Sequence, residues 1–420
     1  MTDCVEVAIT SDSSDQLWSC CVWDVRTGTH LISYKGGGAP GPNTLSVING
    51  QFILAANMVK PMLHIWPINR HETITTRFIL PGRATAVSTS PDGNYCLVAV
   101  QETIYVYQLA TGALLATASR HYQAVKVLRF TDDGSHFISA GQDGMVMVWN
   151  LAHVVRVFQK QTIGATYSFS DHALPVTDLY VGRGGIKATF CSVSVDRSCK
   201  IYDLSSGTIL LNLVFQEALS AVTMDNLESN VFIGTSDGPI HCFSIHSPPR
   251  TKEYHINRKN QQKNMFLGHK KAVTSLSVSL DGETLLSASD DENVLIWHIP
   301  SRQQLRVIPH KGTVTNAFFM LTPRTMFNQE IKIVPLFQPF QKMVYPSDKI
   351  DDICVEVEVK ERPWDNTVNS HSKTNQSSAT GNDYANSQEE IMKLRKEIQY
   401  LKMVNKEMYE FTVKNIMKDS

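Results

Sequence analysis

Residues Gly268 to Trp297 read GHKKAVTSLSVSLDGETLLSASDDENVLIW. A Gly-His pair opens a turn, and AVTSLSVS then alternates apolar with hydroxyl side chains, as a half-buried strand does. Leu280-Asp281-Gly282 reads as a turn, because Asp bonds nearby backbone and Gly accepts a positive φ. TLLSAS and NVLIW follow as two more strands around a second turn. Residues His121 to Trp149 repeat the plan, with turns at Asp132-Asp133-Gly134 and Asp143-Gly144. Pro91-Asp92-Gly93 marks the first of these turns in an earlier unit.

Seven aromatic residues each close a short β-rich run: Trp23, Trp66, Tyr107, Trp149, Tyr202, Phe243 and Trp297. Their spacings are 43, 41, 42, 53, 41 and 54 residues. Four of these fall within the period of about 40–45 expected of propeller blades, and the two long ones equal a blade plus an insertion. A helical solenoid would show 3.6-residue periodicity, which these units lack. The expected fold is therefore all-β, a propeller of seven blades.

The same stretches resemble the WD-repeat family. Trp23-Asp24 and Tyr202-Asp203 stand where that family's terminal dipeptide belongs, and Gly268-His269 where its opening dipeptide does. An aspartate lies six residues before the aromatic in four units, at Asp143, Asp196, Asp237 and Asp291. The resemblance implies that such an Asp pairs with a His of the preceding loop, a Ser or Thr of the second strand, and the Trp. Two full sets are then His121, Ser139, Asp143, Trp149 and His269, Ser287, Asp291, Trp297. His172, Ser192 and Asp196 match with Tyr202 in place of Trp. The early units lack the His, so their blades are expected to rely on packing alone. A Ser-His-Asp set also suggests nucleophilic catalysis, which needs an exposed nucleophile and an oxyanion hole. Recurrence once per blade argues instead for a structural framework.

A propeller joins its ends or leaves strand edges exposed. The chain opens with VEVAIT, SCCVWDV and THLISYK, three strands of a first blade without its innermost one. Gln304 to Ile308 supplies the outer strand of the seventh blade, and Thr313 to Met320, TVTNAFFM, reads as one more inner strand. That segment is expected to complete blade 1, closing a ring over residues 1–322.

The length, 420 residues, allows a large core without disulfides. With 39 basic and 40 acidic side chains the net charge is −1, which removes a global electrostatic case for nucleic-acid or membrane-surface binding. No stretch of 18 or more apolar residues suggests a membrane span. The N-terminal residues show neither the basic nor the apolar region of a secretory signal. Eight scattered cysteines without metal-site spacing suggest reduced thiols in an intracellular protein. No cofactor or metal is expected. Gly36-Gly37-Gly38-Ala39-Pro40-Gly41 matches a dinucleotide-loop pattern, but a strand follows rather than the required helix, so it reads as a flexible inter-blade loop.

Residues 152–170 are mixed in character. Residues 246–271 carry Arg250, Lys252, Arg258, Lys259, Lys263, Lys270 and Lys271 against Glu253, a local balance of 7 − 1 = +6. This is a candidate contact for RNA phosphate or an acidic protein, weighed against a solvated loop. Residues 323–386 read as an irregular, partly disordered linker; its first part, rich in large apolar groups, fits packing on the propeller or on a partner. From residue 387 to 418 an amphipathic helix is expected, opened by a capping box at Ser387-Gln388-Glu389-Glu390. Ile391, Leu394, Ile398, Leu401, Asn405 and Met408 follow the 3,4 spacing of a coiled-coil seam. Self-association or a partner helix is the expected use.

Trp18-Ser19-Cys20, Ser119 to Gln123, His172 to Leu179, Val314 to Ala317 and the helix Leu394 to Ile416 resemble a narrower family. Its members are the WD-repeat propeller subunits of the nuclear complex that matures the large ribosomal subunit. The resemblance implies a non-enzymatic scaffold in nucleus, nucleolus and nucleoplasm, with cytoplasm as a further compartment. Its implied work is pre-60S maturation and processing of the internal transcribed spacer. Its implied partners are a large helical-repeat protein rich in proline, glutamate and leucine, a testis-expressed helical-repeat protein, a SUMO-specific protease, and the midasin ATPase on pre-60S particles. The competing reading is a WD-repeat adaptor that presents substrates to a ubiquitin ligase.

Overall fold

The computed structural model describes residues 6–14, 18–156, 164–245, 251–256, 264–323, 325–328 and 337–341. Within them, antiparallel sheets form seven blades. From the inside outward, blade 1 contains Val314–Leu321, Glu6–Asp12, Cys20–Asp24 and His30–Tyr34. Blade 2 contains Pro40–Ile48, Phe52–Asn57, Met62–Pro67 and Phe78–Ile79, and blade 3 Ala86–Thr89, Tyr95–Val100, Thr103–Gln108 and Leu114–Ser119. Blade 4 contains Val125–Phe130, His136–Gly141, Val146–Asn150 and Tyr167–Phe169. Blade 5 contains Val176–Val181, Thr189–Ser194, Ser198–Asp203 and Thr208–Val214. Blade 6 contains Leu219–Met224, Asn230–Thr235, Ile240–Ser244 and Met265–Phe266, and blade 7 Val273–Val278, Thr284–Ser289, Asn293–His298 and Gln303–Pro309.

Each inner strand packs on that of the next blade, and the seventh packs on Val314–Leu321, so the ring closes. The closing strand runs antiparallel to Glu6–Asp12, from Glu6 opposite Leu321 to Asp12 opposite Val314. Hydroxyl and amide groups reinforce it: Ser11 with Thr315 and Ser13 with Thr313 at 2.9 Å, and Asn316 Nδ2 donating to the Gly41 carbonyl at 2.8 Å. Removing the edge of blade 1 removes a template for pairing with other chains.

The strands form where β-branched and aromatic residues alternate, and the turns between them have a local chemical cause. In blades 3, 4 and 7 the first turn holds Ser90 or Thr131 or Ser279 bonded to Asp92, Asp133 or Asp281. The glycines that follow, Gly93, Gly134 and Gly282, sit at φ of 74°, 70° and 74°, where a Cβ is strained. The core lies between blades: the terminal aromatics Trp66, Tyr107, Trp149, Tyr202 and Trp297 are all buried. Phe243 is only partly buried.

Three local expectations change. The mixed insertion begins with a one-and-a-half-turn α-helix, Leu151–Arg156, whose Leu151 and Val154 are buried against blades 3 and 4. The basic insertion is not simply a solvated loop: Glu253–His255 pairs in parallel with Thr208–Val214 as a fifth strand on blade 5, with Ile256 buried behind it. The Gly36–Gly41 stretch is not a loose loop. A Cβ on Gly37 would sit 2.3 Å from the Trp66 ring, so close packing demands the glycine, and Gly268 stands likewise 2.7 Å from Trp297.

Residues after the closing strand also pack on the blades. Met326 is buried among Val7, Ile68 and neighbouring residues of blades 1 and 2. Phe337 meets Phe52 edge-on at 4.8 Å, and Phe340 stacks on Tyr107 at 4.2 Å.

Candidate functional site

The most organised polar chemistry lies where each inter-blade loop meets the second strand. In blade 4, His121 Nδ1 is 2.9 Å from Asp143 Oδ2 and Nε2 is 2.8 Å from Ser139 Oγ. Trp149 Nε1 donates to the same serine oxygen at 2.9 Å. Because the carboxylate only accepts, Nδ1 carries the proton, Nε2 accepts from Ser139, and the serine oxygen accepts from the indole. Blade 7 repeats the set: His269 Nδ1 to Asp291 3.0 Å, Nε2 to Ser287 2.7 Å, and Trp297 to Ser287 2.8 Å. In blade 5, His172 reaches Asp196 at 3.0 Å and Ser192 at 2.7 Å.

Each aspartate also fastens two turns. Asp143 Oδ2 accepts the amide of Tyr122, Asp196 that of Ala173, and Asp291 that of Lys270, all at 3.0–3.1 Å. The amides of Met145, Ser198 and Asn293 bond the same carboxylates from the second turn. The three histidine side chains are fully buried, and so are Ser139, Ser192 and Ser287. A serine hydroxyl committed on both sides and closed to solvent is a strut rather than a nucleophile.

Electrostatics follow the geometry. Burial pushes His121 below its ordinary value and outweighs Asp143, which acts in the opposite direction. Asp196 and Asp291 are held well below and below the usual carboxylate range: burial pushes upward, but bonds from the histidine and neighbouring backbone outweigh it.

Blade 1 corrects the expectation that the early units rely on packing alone. Trp23 Nε1 donates to Thr10 Oγ1 at 2.8 Å, and Thr10 pairs with Cys21 as Ser287 pairs with Leu295, two residues before the aromatic. The histidine comes from the other end of the chain. His310 is buried, its ring 5.7 Å from that of Trp23 and Nδ1 3.7 Å from Asp12 Oδ2. Asp12 is held low: burial raises it, while His310 and Ser14 outweigh burial. The signal was present, since each histidine stands four residues before the valine that opens or nearly opens the inner strand: His121–Val125, His172–Val176, His269–Val273 and His310–Val314. Blades 2, 3 and 6 place Ala55, Val98 and Ile233 at the hydroxyl position. In blade 2 Trp66 Nε1 donates instead to the Lys35 carbonyl at 2.8 Å. Asp237 of blade 6 is exposed and accepts from Ser236, so the spacing rule alone misplaced it in the framework.

The ring's axis contains a cavity of about 290 Å³ lined by inner strands, with Arg129 3.8 Å from Asp178. Burial raises the Asp178 pKa against the guanidinium and two backbone amides. Of the basic candidates, Lys252 is exposed and its carbonyl accepts from the Asn212 amide at 2.7 Å, while Lys270 and Lys271 are exposed. Arg250, Arg258, Lys259 and Lys263 lie outside the described residues, as do Ile391, Leu394, Ile398, Leu401, Asn405 and Met408 of the expected coiled-coil seam. Among the described residues, no group of three or more His, Cys, Asp or Glu converges as a metal site. No helix among them is long and apolar enough to cross a membrane.

A closed seven-blade ring with loop-to-strand His-Ser-Asp struts defines a WD-repeat β-propeller, and the model for "WD domain, G-beta repeat" matches residues 112–150 and 260–298. The chain is 40% identical to WD repeat-containing protein 18 of Rattus norvegicus over 328 residues, 78% of this chain and 76% of that protein. It is 33% identical to the protein of that name in Danio rerio over an alignment spanning 99% of both chains. The chain belongs to the WD repeat-containing protein 18 family. It is also 23% identical to the pre-rRNA-processing protein pro-1 of Caenorhabditis elegans over 87% of this chain and 71% of that protein.

Proposed function

We propose that this chain is a non-catalytic scaffold of a nuclear and nucleolar complex that matures pre-60S particles and processes the internal transcribed spacer. The observation that carries it is the likeness to WD repeat-containing protein 18 across the propeller, together with relatives named as pre-rRNA-processing proteins. The chemistry of the blades supports the non-catalytic part, since the His-Ser-Asp sets are consumed by the framework. Under this reading the propeller loops and the C-terminal helix hold the large helical-repeat protein, its testis-expressed helical-repeat companion, the SUMO-specific protease and midasin. The basic insertion is a candidate RNA or acidic-protein contact alongside them.

The test is co-purification of the tagged full chain from cells. Pre-60S factors and the helical-repeat proteins are the expected company. A cullin-associated adaptor set in their place contradicts the scaffold reading and supports a ubiquitin-ligase adaptor.

A further inference from the structure

The chain leaving the closing strand fills the grooves between blades one after another. Three grooves are related by register. Val7, Phe52 and Tyr95 each pair with the residue just after the terminal aromatic of their own blade, namely Asp24, Pro67 and Gln108. Ile68, Leu109 and Leu151 follow the aromatic of the next blade by two residues, so each pair walls one groove. Met326 occupies the groove of Val7 and Ile68, and Asn69 Nδ2 holds the Asn328 carbonyl at 3.1 Å. Phe337 and Phe340 occupy the groove of Phe52 and Leu109.

The third groove, between Tyr95 and Leu151, is an open cavity of about 460 Å³. Its lining combines apolar Leu151, Ala152 and Val155 with polar Asn150 and Arg156. The described course of the chain ends on blade 3: the Gln341 amide donates to the Gly112 carbonyl at 2.8 Å, in the turn that leads into Leu114–Ser119. The helix that walls the groove packs on that same strand.

We infer that the groove between blades 3 and 4 is the docking site for residues 342–350 of this chain, with Tyr345 as the inserted side chain. Chain direction supports the assignment, because successive contacts move from blade 1 to 2 to 3 without reversal. Four extended residues past Gln341 span roughly 13 Å, so Tyr345 is the first large ring after Phe340 to act at that range. Chemistry supports it too: a tyrosine ring suits the aliphatic lining, and the exposed Arg156 guanidinium offers its hydroxyl a partner. The inference does not depend on the proposed function.

The experiment uses the full chain with Cys4→Ser and Cys354→Ser, since the described native cysteines are buried or partly buried. Ala152→Cys is paired with Val344→Cys, the protein is oxidised mildly, and disulfides are mapped by mass spectrometry. The control replaces Ala152→Cys by Leu227→Cys, an exposed position on the first turn of blade 6, across the ring on the same face. The 152–344 disulfide is expected in about tenfold excess over the 227–344 disulfide, as a docked segment gives a high local concentration. Tyr345→Asp should abolish that excess, with the fold unchanged by circular dichroism. Equal yields at the two positions, or an excess that survives Tyr345→Asp, overturns the assignment.

Discussion

At the scale of single residues, four buried histidines divide the blades into two kinds. Blades 4, 5 and 7 join loop to strand through His121, His172 and His269, and in blade 1 His310 lies buried against Trp23, 3.7 Å from Asp12, whereas blades 2, 3 and 6 carry an aliphatic side chain where the hydroxyl would be. Ser287→Ala leaves Trp297 Nε1 and His269 Nε2 without their shared partner, and a buried polar group stranded in this way costs about 1–3 kcal/mol. Urea unfolding should show that loss, while an exposed change such as Leu227→Ala should leave the midpoint in place. The framework also sets acid sensitivity. His121 has a depressed folded pKa, so the unfolded chain takes the proton first; its contribution is full above roughly pH 6.5 and declines as pH falls below that. Asp12, Asp196 and Asp291 are also depressed, and their contribution, present above roughly pH 3.9, is lost as pH falls through their folded values. Between pH 7 and 4.5 the His121 contribution should be lost, against the opposite trend of Asp178, whose raised pKa favours the folded state as it protonates. His121→Gln should flatten the near-neutral part of the melting-temperature curve.

At the scale of elements, the closing strand and the segment after it share the work of holding blades 1 to 3. Deleting residues 312–321 exposes Glu6–Asp12 as an edge and removes Thr315 and Asn316, so the product should be insoluble or aggregated on size exclusion. A well-behaved monomer would contradict the closure. Phe340→Ala removes a ring stacked on Tyr107 and is expected to cost about 3 kcal/mol in urea unfolding. Legibility differed by element for physical reasons. The repeated strands were readable because alternation, Asp-Gly turns and terminal aromatics all recur on one period. His310 was missed because its partners Asp12 and Trp23 come from the opposite end of the chain, although its spacing to Val314 matched the other three. The helix Leu151–Arg156 and the strand Glu253–His255 were missed because each is stabilised by its neighbours: one by blades 3 and 4, the other by the edge of blade 5. The docking of Met326, Phe337 and Phe340 left no periodic trace, since one apolar side chain per groove has no repeat.

At the scale of the whole molecule, the polar sets of the ring are internal struts, so the partner binding proposed above would fall to other surfaces. If the C-terminal seam pairs two copies, the full chain should sediment as a concentration-dependent dimer, and Leu394→Asp with Leu401→Asp should return it to a monomer. The ring itself depends on the latch between the two ends of the propeller. Native-state hydrogen exchange with peptide resolution tests it most directly. Residues 6–12 and 314–321 should exchange together, in the slowest class, alongside the inner strands of the other blades. Early and independent exchange of 314–321, while 6–12 stays protected, would show that the ring is closed by some other contact.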